Sequence, residues 1–436
     1  MKTFLRILLF VASAVNAFGD PQITSWFTVD SGQFAQIYRT DADKFSGRTE
    51  STWSNGRQSQ SQPAYSGVQE ILSSANWIYI RSTGLGSQIM GPWYNDAWHR
   101  LAFPNLPTDQ HFILAIPRHP AVPATHHFSH LGEIGLFVDG VQMFDASDSF
   151  SYSHASGRDA NPRARIGRGD GIWNRDAFVN EGTTFDPGFG HQQEWGTYHY
   201  HAEPIALRYL LGDHVDFDAA TKSYYESKRA PLKHSPILGW TDDGYPVYGP
   251  YGYSDPKNPA SAVRRMVSGF VLRNGQNGTD NLALTGRGIL PAWDARELNR
   301  SAVLHHYETG PDVSEFYPIG HYIEDYAYLG DFGKVQGRDF DLDESNGRWC
   351  VTPEYPQGTY AYFTTINANG RPAYPYIMGR QFNGKPVGRI VRGIYEPVVT
   401  DFINQANTAL ASGSQSTQTT TLTWNSVSGS YEAVSK

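Results

Sequence analysis

Residues 190–204 read GHQQEWGTYHYHAEP, and the alternating run Tyr198-His199-Tyr200-His201 lies near the end of that stretch. In a β-strand, residues i and i+2 lie on the same face. The two imidazoles therefore project from one face of a predicted strand, and the two phenols project from the other. This arrangement predicts a strand with a chemically distinct histidine face.

The frame of this strand recurs further along the chain. Residues 358–363 read GTYAYF and match residues 196–201 at four of six positions. A similar segment precedes each copy: residues 134–145 (IGLFVDGVQMFD) and residues 237–249 (ILGWTDDGYPVYG) both place Asp-Gly between apolar runs, which is a strong hairpin signal. The same order of hairpin and GTYxYx strand predicts an internal duplication of a β-rich half.

The second copy separates the roles of the four side chains. Ala361 and Phe363 stand where the first copy has its histidines, while both tyrosines are retained. The strand therefore does not need histidine to fold, and we predict that the phenols belong to the core and the imidazoles to a functional site. The alternative is that the histidines are partly exposed strand residues packed beside aromatic side chains.

A His-x-His pair on a strand supplies two nitrogen ligands, and imidazole suits zinc, copper, iron and nickel. His191, eight residues upstream across a turn, is the first candidate for a third ligand, and His234 is the next. The sequence thus predicts a transition-metal site, with copper or zinc as the ion. Its candidate ligands are His199, His201, His191 and His234.

His234 is also the candidate catalytic residue, because an imidazole titrates near neutral pH and can act as a general acid or base. With three protein ligands and an open position, zinc would favour hydrolysis and copper would favour redox chemistry. The sequence leaves open whether the protein is an enzyme. Weaker carboxylate candidates for the metal site are Asp186, Glu194 and Asp242.

A calcium site is a separate possibility in residues 339–346, where aspartates alternate with other residues. This run lacks the glycine and the final glutamate of an EF-hand loop. The prediction is therefore a non-helical calcium site that uses Asp339, Asp341 and Asp343.

The composition points to a β-rich protein. Aromatic residues make up 14% of the 436 residues, and 43 glycines and 26 prolines favour short strands and many turns. We expect a mainly β fold: one large, sandwich-like domain with long ordered loops and few short helices, one of them from Pro204 to Leu211. Cys350 is the only cysteine, which excludes an intrachain disulfide, and we expect it to be a buried thiol.

The net charge of −8 argues against a nucleic-acid partner, which would require a basic face. Residues 1–17 are typical of a signal peptide, with Lys2 and Arg6 before an apolar run and a small-residue cleavage site. We therefore expect a secreted or periplasmic protein. No later segment is apolar for long enough to cross a bilayer, so an integral membrane protein is not expected.

At its motifs the chain resembles the YHYH-domain family of exported proteins. The shared features are Gly190-His191, then GTYHYH, then HSPILGW followed by DDGYPVYGPYGY, and later LDESNGRWCVTPEYPQGTYAYF. The resemblance covers roughly residues 130 to 380 and implies an exported, β-rich domain. It does not specify a reaction.

Five segments follow from these features. They are a signal peptide (1–17), an N-terminal β-rich region packed on the core (18–125), a YHYH domain (126–400), a Ser/Thr/Gln-rich linker (401–421) and a fragment of a C-terminal β-module (422–436).

Two functions compete. The first is an exported metal-binding protein, and in one form of this hypothesis a metalloenzyme. The second is a non-catalytic cell-surface or carbohydrate-binding protein that presents aromatic side chains to an extracellular ligand.

Overall fold

A computed structural model describes residues 20–129, 131–161, 167–406, 421–425 and 430–434. The predicted signal peptide and residues 407–420 of the predicted linker lie outside these described residues. Strands dominate the described part of the chain, so the expectation of a mainly β fold is confirmed. None of the described helices is long and apolar enough to cross a membrane.

The helices are short, as expected. The α-helices are Pro21–Thr24, Asp41–Ser46, Ala177–Glu181, Ile205–Leu210, Leu282–Thr285 and Ala292–Glu297. The 3₁₀ helices are Gly182–Thr184, His306–Glu308, Ile323–Asp325 and Leu329–Phe332. The helix predicted from Pro204 to Leu211 is present, with Pro204 just before its first residue.

An eight-stranded sheet forms the centre of the fold. In chain order its strands are β1 (Glu133–Phe137), β2 (Gln142–Phe144), β3 (Gly190–Gln192), β4 (Tyr198–Tyr200), β5 (Ile237–Thr241), β6 (Pro246–Tyr248), β7 (Gly347–Cys350) and β8 (Thr359–Phe363). Across the sheet the order is β3-β4-β2-β1-β5-β6-β8-β7. Counted inward from either edge of the sheet, the first and second strands are antiparallel, the second and third are parallel, and the third and fourth form a hairpin. The two hairpins meet where β1 pairs with β5. This arrangement agrees with the predicted duplication.

The register of the two outer strand pairs is also the same. Gly190 pairs with Tyr200 at one edge, and Gly347 pairs with Tyr362 at the other. Residues that match between GTYHYH and GTYAYF in sequence therefore also occupy equivalent positions in the sheet. The histidine positions of the first copy have defined equivalents in the second copy.

A hydrogen bond from tyrosine to aspartate is repeated in both halves. The Tyr198 hydroxyl donates to Asp186 and the Tyr360 hydroxyl donates to Asp343, each at 2.8 Å. Each carboxylate also accepts the backbone N–H of the glycine four residues later, at 3.1 Å. Tyr198 and Tyr200 are fully buried, so the predicted core role of the two phenols is confirmed.

A five-stranded antiparallel sheet packs beside the central sheet. In order across the sheet its strands are Arg389–Val391, Phe112–Pro117, Trp77–Ser82, Val68–Ser73 and Val399–Ile403. Apolar side chains of both sheets belong to one hydrophobic core. The region predicted as 18–125 thus shares its core with the later residues, and the strand Val399–Ile403 pairs with Val68–Ser73.

In the N-terminal region, residues rich in β-branched and aromatic side chains form less regular strand than their composition favours. The run from Ile71 to Arg81 is a hairpin, since the chain turns between Ser73 and Trp77. The run from Ile23 to Tyr38 contains isolated β-bridges after the first short helix, and no regular strand. Propensity alone did not indicate these turns, because tertiary packing sets where β-rich sequence forms strands.

The remaining described strands form small sheets. A three-stranded sheet contains Asn174–Asp176, Ser147–Ser153 and Arg158–Asp159. Two-stranded pairs are Trp53–Ser54 with Ser59–Gln60, Val215–Asp218 with Ser223–Glu226, Tyr251–Tyr253 with Val263–Arg265, Phe270–Leu272 with Tyr326–Tyr328, and Thr421–Asn425 with Ser430–Val434. The last pair falls largely within the predicted C-terminal segment, residues 422–436.

The turn of the first hairpin gives a test of pH dependence. Asp139 is fully buried, and burial raises the pKa of its carboxyl to about 7. A folded-state pKa above the unfolded value means that folding favours the protonated form. The resulting stabilisation is present below about pH 4 and is lost as the pH rises through about 7.

We therefore expect Asp139→Asn to raise the free energy of unfolding by about 2–4 kcal/mol at pH 8. At pH 4 we expect little difference from the wild type. Asn-Gly also suits a tight hairpin turn, so the substitution preserves the backbone. Urea denaturation at both pH values measures the effect, with the exposed Asp312→Asn as control. Stabilisation that is larger at pH 4 than at pH 8 would contradict this account.

Candidate metal centre

The three histidines of the motif region come together at one edge of the sheet, on the edge strand β3, on its neighbour β4 and at the residue that follows β4. These strands are antiparallel, and their register places His191 directly opposite His199. His201 follows two residues later on the same side of the chain. The Nε2 atoms of His191 and His199 are 3.1 Å apart, and those of His199 and His201 are 3.2 Å apart. All three side chains are buried, with exposures between 3% and 5%.

The second ring nitrogen of each histidine has an oxygen partner. Nδ1 of His199 lies 2.9 Å from the Thr197 carbonyl, and Nδ1 of His201 lies 2.7 Å from the Asp145 carbonyl. A carbonyl oxygen only accepts, so both Nδ1 atoms carry a proton and donate it.

The same holds for His191, whose Nδ1 is 2.7 Å from the Thr184 hydroxyl. That hydroxyl gives its own proton to the Glu181 carbonyl at 2.7 Å, so it accepts from the imidazole. In their neutral forms all three histidines therefore present an unprotonated Nε2 to one another. Three lone pairs at this spacing repel unless a cation lies among them. Such oxygen partners of Nδ1 are typical of metal-bound histidines.

Glu181 completes the group, and the sequence analysis missed it. It is the last residue of the helix Ala177–Glu181. Its Oε2 lies 3.3 Å from Nε2 of His191 and 3.3 Å from Nε2 of His201. Its side chain is 25% exposed, so it lies on the solvent side of the group.

Neighbouring donor atoms are close enough to share one ion. Metal–nitrogen and metal–oxygen bonds of about 2.0–2.1 Å place adjacent ligands roughly 2.8–3.4 Å apart. The separations between neighbouring donor atoms, His191 with His199, His199 with His201, and Glu181 with His191 and His201, are 3.1 to 3.3 Å. Three imidazole nitrogens and one carboxylate oxygen are also a donor set that suits zinc.

Aromatic rings enclose the imidazoles. Phe144, at the end of β2, stacks on His199 with ring centroids 3.9 Å apart. Phe185 meets His191 edge-on at 4.7 Å, and Phe103 stacks on His191 at 6.2 Å. This apolar wall fixes the ring orientations and lowers the local dielectric, which strengthens any charge interaction within the site.

The wall also determines the protonation of the site. Burial lowers the pKa of His191, and burial together with the neighbouring imidazoles holds the pKa of His199 well below its usual range. Burial opposes the charged form of His201 as well, but the adjacent Glu181 carboxylate raises the pKa of this imidazole. Burial would raise the pKa of Glu181, yet its hydrogen bonds to His191 and His201 hold it well below its usual range. The carboxylate is thus placed to balance positive charge among the rings.

His234 does not join this group. Its Nδ1 lies 2.7 Å from the Ser235 carbonyl, and its ring packs on Tyr248 and Phe363 in the second half of the sheet. Burial lowers the pKa of His234 to about 4, so the ring is neutral at physiological pH. Within the described residues, the group that could hold a metal ion consists of His191, His199 and His201.

The carboxylates named as weaker candidates for the metal site make contacts with other residues. Asp186 accepts the hydroxyl of Tyr198, Glu194 is exposed beside Arg57, and Asp242 is buried next to Glu133.

The aspartates of the predicted calcium site are also bound separately. Asp339 pairs with Arg338, Asp341 takes both amino groups of Arg264, and Asp343 accepts from Tyr360. The structure therefore does not assemble these three carboxylates around one cation. The expected burial of Cys350 is confirmed.

The second copy shows how the fold closes the equivalent position. Arg348 pairs with Ala361 across β7 and β8, where the first copy pairs His191 with His199. The guanidinium of Arg348 donates to the Tyr253 carbonyl at 2.6 Å and lies 5.4 Å from the centre of the Phe363 ring. A fixed cation and an aromatic ring thus occupy the space that belongs to the imidazole cluster in the first half.

Comparison with known proteins adds one finding. A family model described as YHYH protein matches residues 113–375, which is more than half of the chain. No curated protein and no solved structure matches. The matched segment contains the eight-stranded sheet and the histidine cluster, and it begins before the region in which the motifs were recognised. The chain therefore belongs to the YHYH protein family.

Proposed function

We propose that this chain is an exported protein that binds one divalent transition metal ion at His191, His199 and His201, with Glu181 as the fourth ligand. The observation that carries the proposal is the convergence of three Nε2 atoms, at 3.1 and 3.2 Å between neighbours, whose Nδ1 atoms all face oxygen acceptors. A cation at their centre removes the repulsion between the lone pairs. The proposal of export rests on residues 1–17 of the sequence.

Zinc is the ion that this donor set favours. Zinc accepts N and O ligands without an electronic preference for one geometry, whereas Cu²⁺ prefers square-planar or tetragonal arrangements. Three imidazoles and one partly exposed carboxylate are a common donor set for zinc. Copper is the competing ion, and the elemental analysis described below distinguishes it from zinc.

The arrangement also supports an enzymatic role. Glu181 is the donor with the greatest exposure, and a carboxylate at the solvent side can yield its position to water or substrate. A zinc ion with three histidines and an exchangeable position polarises a carbonyl group or lowers the pKa of bound water. The three imidazoles hold the site, and the phenylalanine rings shield His191 and His199 from bulk water.

Elemental analysis of protein purified without added metal tests the proposal directly. We expect about one zinc ion per chain, as for a closed protein site of four ligands. Replacement of the zinc by Co²⁺ should give the intense visible absorption of a tetrahedral cobalt centre. Protein that holds no stoichiometric metal, both as purified and after incubation with Zn²⁺, would overturn the proposal.

Glu181→Gln should weaken zinc binding by about 100-fold or more, because it removes a charged ligand and leaves three neutral imidazoles. Competition with a chromogenic chelator measures the dissociation constant. Glu194→Gln is the matched control, since Glu194 is exposed and lies near the same strands in sequence. Equal zinc affinity of the two variants would exclude Glu181 as a ligand.

A further inference from the structure

The partner of His191 differs in kind from the partners of the other two imidazoles. His199 and His201 each face a backbone carbonyl with Nδ1. A carbonyl only accepts, so these two contacts hold the proton on Nδ1 whatever side chain is attached there. Nδ1 of His191 instead faces the side-chain hydroxyl of Thr184 at 2.7 Å. The orientation of His191 therefore depends on a group that a substitution can remove.

The Thr184 hydroxyl links two of the proposed metal ligands. It accepts from Nδ1 of His191 and donates to the backbone carbonyl of Glu181 at 2.7 Å. His191 belongs to β3, whereas Glu181 ends the helix Ala177–Glu181. Thr184 lies between them, at the end of the 3₁₀ helix Gly182–Thr184, and is buried. One hydroxyl thus holds the imidazole of one ligand against the segment that carries another.

The direction of these two hydrogen bonds decides which nitrogen of His191 is free for a metal. The Glu181 carbonyl takes the hydroxyl proton, which leaves the hydroxyl oxygen to accept from Nδ1. The ring proton then stays on Nδ1, and Nε2 keeps its lone pair. Without the hydroxyl, Nδ1 loses this acceptor, while Nε2 has the Glu181 carboxylate at 3.3 Å as an alternative acceptor. The proton would then move to the nitrogen that a metal needs.

At the matching position of the second half, the chain has an aspartate in place of this threonine. Asp186 and Asp343 accept the tyrosine hydroxyls of the two halves, and Thr184 stands two residues before the first of them. Asp341 stands two residues before the second. Its carboxylate accepts from Arg264 at 2.6 and 2.7 Å. The hydroxyl therefore accompanies the histidine cluster and is not required by the repeated strand pair.

We propose that Thr184 is a positioning residue of the metal centre, whose hydroxyl keeps Nε2 of His191 free and holds this imidazole against the segment that carries Glu181. Its effect on metal binding rests on the function proposed above, whereas its effect on the His191 tautomer does not. Thr184 acts through these two residues and not on the ion. Hydrogen-bond partners of metal ligands typically change metal affinity by about 10–100-fold.

Thr184→Val tests the effect on the metal, because valine has nearly the shape of threonine and lacks the hydroxyl. Its zinc affinity, measured by competition with a chromogenic chelator, should be about tenfold or more below that of the wild type. Thr184→Ser restores a hydroxyl and should restore the affinity. Thr183→Val is the matched control, since it makes the same substitution at the exposed neighbouring residue. Unchanged affinity in Thr184→Val, or a loss that serine does not rescue, would overturn the proposal.

The tautomer of His191 in zinc-free protein is a readout that a loss of packing alone would not move. ¹⁵N NMR of histidine-labelled protein at pH 8 measures it, with the His191 signal assigned by its loss in His191→Gln. We expect the Nδ1–H form in the wild type and in Thr184→Ser, and the Nε2–H form in Thr184→Val. Thr184→Ala replaces the valine variant if that protein does not fold. The same tautomer with and without the hydroxyl would overturn the proposal.

The two measurements separate this proposal from the function on which it rests. A tautomer that changes in Thr184→Val, in a protein whose wild type holds no metal, would refute the metal centre and leave the control of His191 by Thr184 standing. Zinc binding by the wild type with unchanged affinity in Thr184→Val would refute the role of Thr184 alone.

Discussion

Replacing His199 and His201 together with alanine is expected to reduce the bound metal from about one ion per chain to background. The double substitution removes two of four ligand atoms and leaves His191 and Glu181, which cannot enclose an ion. We expect the zinc affinity to fall by roughly 1,000-fold or more. Elemental analysis and chelator competition on wild-type and variant protein measure the change.

The exposed pair His305→Ala/His306→Ala is the matched control, because it removes two histidines at the start of a short 3₁₀ helix outside the group. Its metal content should equal that of the wild type. A metal ion that binds only the folded chain also raises the melting temperature, so a chelator should lower the melting temperature of wild type and control but not of the double variant. Equal metal in the double variant and the control would remove these histidines from the site.

The second large effect is expected at Arg208, in the helix that follows the histidine strand. Arg208 is completely buried and forms ion pairs with Glu203, Asp213 and Glu226. Arg208→Met would leave these carboxylates without their cation in a buried site. Loss of one partner of a buried ion pair typically costs about 3–5 kcal/mol, and we expect a loss of this size in the free energy of unfolding.

The loss should be greater at pH 8 than at pH 5. Burial already raises the pKa of Glu203 to about 8, and removal of the guanidinium moves it further in the same direction. A carboxyl group with a raised pKa stabilises the folded protein only while it is protonated. The variant should therefore lose the most free energy of unfolding at the higher pH, where the carboxyl groups ionise. Urea denaturation at both pH values measures this. Arg229→Met, which breaks an exposed pair with Asp216, should cost less than about 1 kcal/mol. A similarly small cost for Arg208→Met would contradict the account.

Much of the candidate site was predictable because local sequence patterns describe strand faces well. The alternation of histidine and tyrosine predicted that the two residue types lie on opposite faces of the strand. The GTYAYF copy then showed that the two copies share the tyrosines and not the histidines. The register of β3 and β4 places His191 directly opposite His199. A pattern with a period of two residues carries this information without any knowledge of the tertiary fold.

Glu181 and His234 show where that information ends. Glu181 lies ten residues before His191 on a short helix, and no spacing rule connects a helix end to a neighbouring strand edge. His234 belongs to a recognisable motif, but the chain places it on the second half of the sheet beside Tyr248. A histidine that belongs to the sequence motif therefore does not have to belong to the candidate metal centre. The function as a surface or carbohydrate-binding protein stays a prediction.

The sequence by itself determined the strand with its two faces, the paired hairpins and the duplicated halves. It also determined that His199 and His201 share one face of the strand. Each of these depends on residues close in the chain or on a repeated pattern. The tertiary structure alone decided that Glu181 reaches the imidazoles, that Thr184 and Asp145 hold their Nδ1 protons, and that His234 is elsewhere. Those contacts are set by how separate segments pack. Residues Tyr198–His201 thus supply half of the proposed metal site, and the fold around them supplies the rest.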